Sequence, residues 1–276
     1  MPELSGLFSR WWKQILLIVF LSLAISAAIL YLQPLQYMSV TTAVPGNALS
    51  ADKSRVFNNN IEALYSDVGL PDELDVILGT AQLDTIYLAV ADQFNLFDHY
   101  KLAKDDGEAR QKSARRLKKN SRVIKSDYGE LKVKVWDTDR NLAPQMANAL
   151  MDKLQQIHQS LYNNNNRNIL ASLHHAAEIG QKKLDSLYTD SAKDNDLSLT
   201  RRKAQLEQLQ EYEKLINQYD LIIHTSPASL LVAEMARPSL WPDRPKRMEI
   251  LIATGILSLF FAFLVALVLE RNKRKA

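Results

Sequence analysis

The residue types that most often carry chemistry are sparse in this chain and do not converge. His174 and His175 are adjacent, which points their rings to different parts of a helix surface, whereas histidines one helical turn apart can share a metal ion. Asp137 and Asp139 flank a predicted strand-to-helix turn, where an aspartate ordinarily caps the helix. No Gly-rich phosphate loop, GxSxG or HExxH occurs. The absence of cysteine removes thiolate nucleophiles, thiolate metal sites and disulfides together, and fits an oxidising compartment. Short of a site assembled from residues far apart in sequence, these observations predict no catalytic, cofactor-binding or metal site. They point to a structural or interaction protein.

The densest charge is Arg110 to Lys125, with eight basic residues and no acidic one. One reading is an anion-binding patch, with Arg115, Arg116, Lys118 and Lys119 as candidates for phosphates of a lipid-linked substrate or for acidic sugars. The other is a solvated helix face that balances acids folded near it, which an almost neutral domain favours. Overall the chain carries net charge +3 with pI near 8.9. The short tails hold six Lys and Arg against Glu3 and Glu270, and the region between them holds 28 basic and 29 acidic residues. The basic excess therefore belongs to the tails, whose natural partner is an anionic membrane surface, and nothing suggests nucleic acid.

Two uncharged apolar runs, 15–32 and 250–269, lie near the two ends. About 18–20 residues at 1.5 Å rise per residue cross a hydrocarbon core of roughly 30 Å, so both read as transmembrane helices. Two crossings put both termini on one side and leave residues 33–249 as one extramembrane domain, between tails 1–14 and 270–276. Arg10 and Lys13 precede the first run, and no Lys or Arg follows it until Lys53. This charge bias places the termini in the cytoplasm and the domain outside, in the periplasm or extracellular space. The second run has basic residues on both flanks and does not decide by itself. A cleaved signal peptide is the alternative for the first run, whose apolar length exceeds the usual h-region.

Within the domain, Tyr37 to Val44 reads as a strand ending at Pro45-Gly46. Ser50 or Asp52 opens a helical pattern through Val56, Ile61, Leu64 and Val68. Pro71, Asp72 and Glu73 open another, which is predicted to continue towards Phe97. Val123 to Trp136 alternates as a strand or hairpin bent at Tyr128-Gly129. From Asp139 a long helix runs to Leu187, with four asparagines, Asn163 to Asn166, predicting a bend or local opening. A second helix over 197–223 is predicted to fold back as an antiparallel hairpin, joined by Asp190 to Asp196 and ended by Pro227. Ser229 to Ala236 reads as a returning strand that pairs with Tyr37–Val44 or Val133–Val135. The expected fold is an α+β membrane protein, with two transmembrane helices flanking a periplasmic domain that has a small membrane-proximal sheet and a long helical hairpin over about 139–223.

The approach to the second span contains Ala236, Pro238, Pro242 and Pro245. Physically this is a stiff, extended connector. An Ala followed by prolines just before a final span also resembles the polysaccharide co-polymerase family, the Wzz-type chain-length determinants. The strand-to-helix passage with Asp139, Ala143, Ala147 and Asn148 is similar as well. The resemblance implies a non-catalytic, homo-oligomeric inner-membrane protein, without cofactors, whose periplasmic domain works with a membrane polysaccharide polymerase on O-antigen or a related lipid-linked glycan. It also leads us to expect the branch without a kinase domain, since the sequence ends at Ala276. In the second span, Thr254, Ser258, Ala262 and Ala266 form a face of small residues suited to close packing, against Ser22 and Ser26 of the first span or against the polymerase. The rival readings are a membrane-anchored periplasmic sensor and a polysaccharide-export adaptor.

Overall fold

The computed structural model describes residues 4–46, 73–102, 108–189, 196–226 and 228–273. The predicted helix over 50–69, the helix opening at Pro71 and Asp72, residues 190–195 of the inter-helix connector, Pro227 and the basic residues Arg274 and Lys275 lie outside them. The chain divides into two compact units: Met1–Ser39, Trp136–Ala143 and Pro238–Ala276 form the first, and Val40–Val135 and Pro144–Arg237 the second.

The first unit is built on two helices, α1 (Leu4–Leu32) and, at the other end of the chain, a helix over Arg247–Lys273. Within them, Arg10–Leu32 and Arg247–Arg271 have mean hydropathies of 2.8 and 2.7, long and apolar enough to cross a membrane. The two helices run antiparallel. Arg10 Nη1 and Trp11 Nε1 donate to the Glu270 carboxylate at 3.2 and 3.0 Å. Further along the pair, Ile15 packs with Ala262 and Ala266, and Ser26 Oγ lies 3.4 Å from Thr254 Oγ1. Leu16, Leu17, Phe20, Phe260 and Phe261 on these helices are exposed, as apolar side chains of membrane-length helices are expected to be.

Most of a four-stranded sheet belongs to the second unit. Its strands are β1 (Tyr37–Pro45), β2 (Ser121–Lys125), β3 (Leu131–Asp137) and β4 (Leu230–Glu234), in the order β2-β3-β1-β4. The predicted hairpin is present: β2 and β3 pair antiparallel from Ser121 opposite Val135 to Lys125 opposite Leu131. Gly129 takes φ +73° in the turn, a conformation that favours glycine. Leu131, Val133 and Val135 are fully buried and the intervening lysines are not, as the alternation predicts. The returning strand β4 pairs antiparallel with β1, and Gly46 N–H donates to the Ser229 carbonyl at 2.9 Å. Gly46 is required by close approach, because an added Cβ would fall 1.9 Å from the Ala228 carbonyl oxygen.

The helix predicted to continue towards Phe97 is instead broken into α2 (Glu73–Thr80), α3 (Asp84–Gln93) and α4 (Leu96–His99). The α2 and α3 axes bend by 66°. Thr80 Oγ1 donates back to the Val76 carbonyl, and tight turns through Gln82 and Leu83 close α2. The Ala81 carbonyl at the break accepts from the buried Tyr87 hydroxyl at 2.9 Å. At the second break Asn95 adopts the left-handed conformation, which asparagine tolerates better than most residues. Helix α5 (Ala109–Lys119) packs on α3 and buries Ala109, Ser113, Ala114 and Leu117.

The long helices are α6 (Leu142–Thr189) and α7 (Asp196–Thr225). Forty-eight residues give α6 a length of about 70 Å. It is unbroken through Asn163–Asn166, contrary to the opening expected there. Asn163 Nδ2 donates to Ser226 Oγ at 3.0 Å, which draws this side chain away from the backbone groups it would otherwise compete for. Contacts step from Leu187–Arg202 through Gly180–Leu209 to Asn163–Ser226, equal steps in opposite directions, which defines an antiparallel hairpin. The label α8 is used below for Arg247–Lys273.

Candidate functional site

The family-like residues divide between the two units. In the second, Asn148 on α6 reads the backbone of Ala236 like an added strand. Its Oδ1 accepts from Ala236 N–H at 2.8 Å, and its Nδ2 donates to the Ala236 carbonyl at 3.4 Å. Ala236 and Ala147 are buried. The two hydrogen bonds fix the direction of the chain leaving β4, because an amide side chain offers one donor and one acceptor at a set spacing. Both residues stand in the patterns singled out from sequence, but their meeting is visible only in the fold.

In the first unit, the connector carrying Pro238, Pro242 and Pro245 is stitched to the chain leaving α1. Gln36 N–H donates to the Arg244 carbonyl at 2.9 Å, and the Gln36 carbonyl accepts from Asp243 N–H at 2.8 Å. Trp136 Nε1 donates to Asp243 Oδ2 at 2.6 Å, and the Arg244 guanidinium lies 3.8 Å from the centroid of the same indole ring. The connector is thus more than a spacer. It is held by backbone pairing, a charge-assisted hydrogen bond and a cation–π contact. Nearby in the same unit, Asp139 Oδ1 accepts from the N–H groups of Asn141 and Leu142 at 2.8 and 3.3 Å, and Asp137 Oδ1 accepts from Asp139 N–H at 2.8 Å. Asp139 thus caps the start of α6, and Asp137 holds the turn that precedes it.

The small-residue face of α8 is turned to α1. Ser258, Ala262 and Ala266 are buried, and Thr254 meets Ser26. Ser22 instead donates to its own helix, at the Ile18 carbonyl. The Arg10–Trp11–Glu270 cluster was not expected from sequence. The signal available was an acidic residue at the end of a span with a cation near the corresponding end of the other.

The basic run lies on α5 and β2. Lys118 Nζ donates to Asp84 Oδ1 at 2.7 Å and to the Gln82 carbonyl at 2.6 Å, Arg110 makes a bidentate pair with Asp92, and Lys125 pairs with Asp75 at 3.2 Å. The hydrogen bond from Lys118 holds the Asp84 carboxyl below its ordinary pKa, and that from Arg110 does the same for Asp92. Arg116 stacks on Tyr100, and Arg115 and Lys119 are exposed. This geometry gives the charge-balancing reading a concrete set of partners. His174 and His175 are exposed, and no metal-holding cluster of His, Asp and Glu occurs among the described residues.

No family model matches this chain, and no curated protein matches it. Among solved structures it is similar to a full-length bacterial polysaccharide co-polymerase, at 14% identity over 100% of this chain and 98% of that one, with a TM-score of 0.40.

Proposed function

We propose that this protein is a non-catalytic inner-membrane scaffold that regulates the chain length of a surface polysaccharide of O-antigen type, acting as a homo-oligomer with a membrane polymerase. The observation that carries the reading is the Asn148–Ala236 contact. Two stretches that separately resemble the co-polymerase family in sequence, 88 residues apart, meet through paired hydrogen bonds at the residue that opens the proline connector. The antiparallel closure of β4 on β1 supports it too, since the chain between two spans must return to the bilayer it left. Positive charge before the first span supports cytoplasmic termini and a periplasmic domain.

In this role the protein makes and breaks no bonds in the glycan. Its assembled surface holds the growing chain near the polymerase for a limited time, so residence sets length. Deleting the gene in its host and resolving the surface polysaccharide on a gel tests the proposal. Loss of a preferred length with secretion intact is expected. Complete loss of secretion would instead indicate an export adaptor, and an unchanged ladder a sensor.

A further inference from the structure

A cleft in the first unit is lined by Gln33, Pro34 and Gln36 after α1 and by Arg244, Lys246 and Ile250 around the start of α8. Arg244 lines this cleft and lies over Trp136 at 3.8 Å, while Arg247, at the start of α8 and outside the lining, lies over Tyr31 at 4.6 Å from the ring centroids. Neither has a carboxylate partner among the described residues, and Arg247 Nε is buried without a hydrogen-bond partner there. Glu249, also in the lining, is taken by Lys246 at 3.0 Å, and Asp243 by the Trp136 indole. A guanidinium set over a ring and without a carboxylate partner can present its N–H groups to the oxygens of a phosphate.

The position of the cleft selects the phosphate's carrier. Both membrane-length helices end at it, α1 at Leu32 and α8 at Arg247. The neighbouring Tyr31, Leu32, Leu240, Trp241 and Met248 are all largely exposed. Exposed aromatic and apolar side chains beside arginines at a span's end are the composition of a headgroup layer, where lipid phosphates are concentrated. We propose that this cleft binds the phosphate headgroup of an anionic membrane lipid, with Arg244, oriented by Trp136, as its ligand and Arg247, three residues further along the chain, adding positive charge at the same helix end.

The inference is independent of the glycan reading. The test is native mass spectrometry of the full chain in mild detergent, with phosphatidylglycerol or phosphatidylcholine added. Wild type should retain phosphatidylglycerol in preference to phosphatidylcholine. At about 1 kcal/mol per basic residue near a membrane surface, Arg244→Gln with Arg247→Gln should weaken retention by roughly 30-fold, and Arg244→Gln alone by about fivefold. Should the double variant misfold by circular dichroism, Arg244→Gln alone carries the test. Equal retention of the two lipids, unchanged retention in a folded variant, or displacement of the lipid by millimolar inorganic phosphate would each overturn the proposal, the last by indicating a free-anion site.

Discussion

Replacing Asn148 by Ala removes both hydrogen bonds to Ala236 and restores neither. The bond from Ala236 N–H is short, at 2.8 Å, and is worth about 1 kcal/mol net; the other, at 3.4 Å, is near the geometric limit and adds a few tenths. Ala236 is only 8% exposed, so its N–H is left desolvated at a further cost of about 1 kcal/mol. Local stability around the end of β4 should therefore fall by about 2 kcal/mol, equivalent to roughly 30-fold faster opening at this site. Hydrogen exchange of the full chain in detergent, read by mass spectrometry, follows it directly. The Ala236 amide and those of β4 should exchange about 30-fold faster, while those of the β2–β3 hairpin keep wild-type rates. An acceleration below about threefold would refute the reasoning, because the clamp would then hold nothing that solvent could not replace.

Further outcomes follow from the same geometry. Gly46→Ala would drive a methyl group into the Ala228 carbonyl and should destabilise the β1–β4 edge by about 3 kcal/mol, seen as a lowered thermal midpoint of the full chain. Ser258→Leu with Ala262→Leu overfills the buried contact of α8 with α1 and should cost about 1–3 kcal/mol of helix pairing. Because the chain has no cysteine, a disulfide between Ile15→Cys and Ala266→Cys reports that pairing cleanly, and its yield should drop in the leucine variant. Asp84 and Asp92 are held below their ordinary value of 3.8, so their ion pairs with Lys118 and Arg110 support the fold above the unfolded-state pKa and lose that contribution as pH falls through the lower folded value. Titration by carboxyl NMR shifts should place both midpoints below 3.8, and Lys118→Met should raise that of Asp84 while leaving Asp92 in place.

What could be read in the sequence was whatever depends on short-range pattern. The alternation of Leu131, Val133 and Val135 specified a strand with one buried face, and the uncharged runs specified two membrane-length helices. Helical periodicity in α6 and α7 was equally plain, and with it the antiparallel hairpin. Pattern failed where a distant partner decided the outcome. The asparagine tract looked like a helix breaker until Ser226, beyond the end of α7, supplied a partner for Asn163. The α2–α3 break is stabilised by Tyr87 capping a freed carbonyl, which no local rule anticipates. The basic run could not be interpreted without knowing that Asp75, Asp84 and Asp92 fold beside it. Ala236 and Asn148 were both visible as family-like positions, yet their contact closes a loop of 88 residues and is a property of the fold alone.

The proposed role is tested most directly by returning the gene to a host that lacks it and resolving the length distribution of its surface polysaccharide. At matched membrane levels the wild-type protein should restore a narrow preferred length, and Asn148→Ala should give a broader or shifted one. An identical distribution with the gene absent and with it restored would contradict the account.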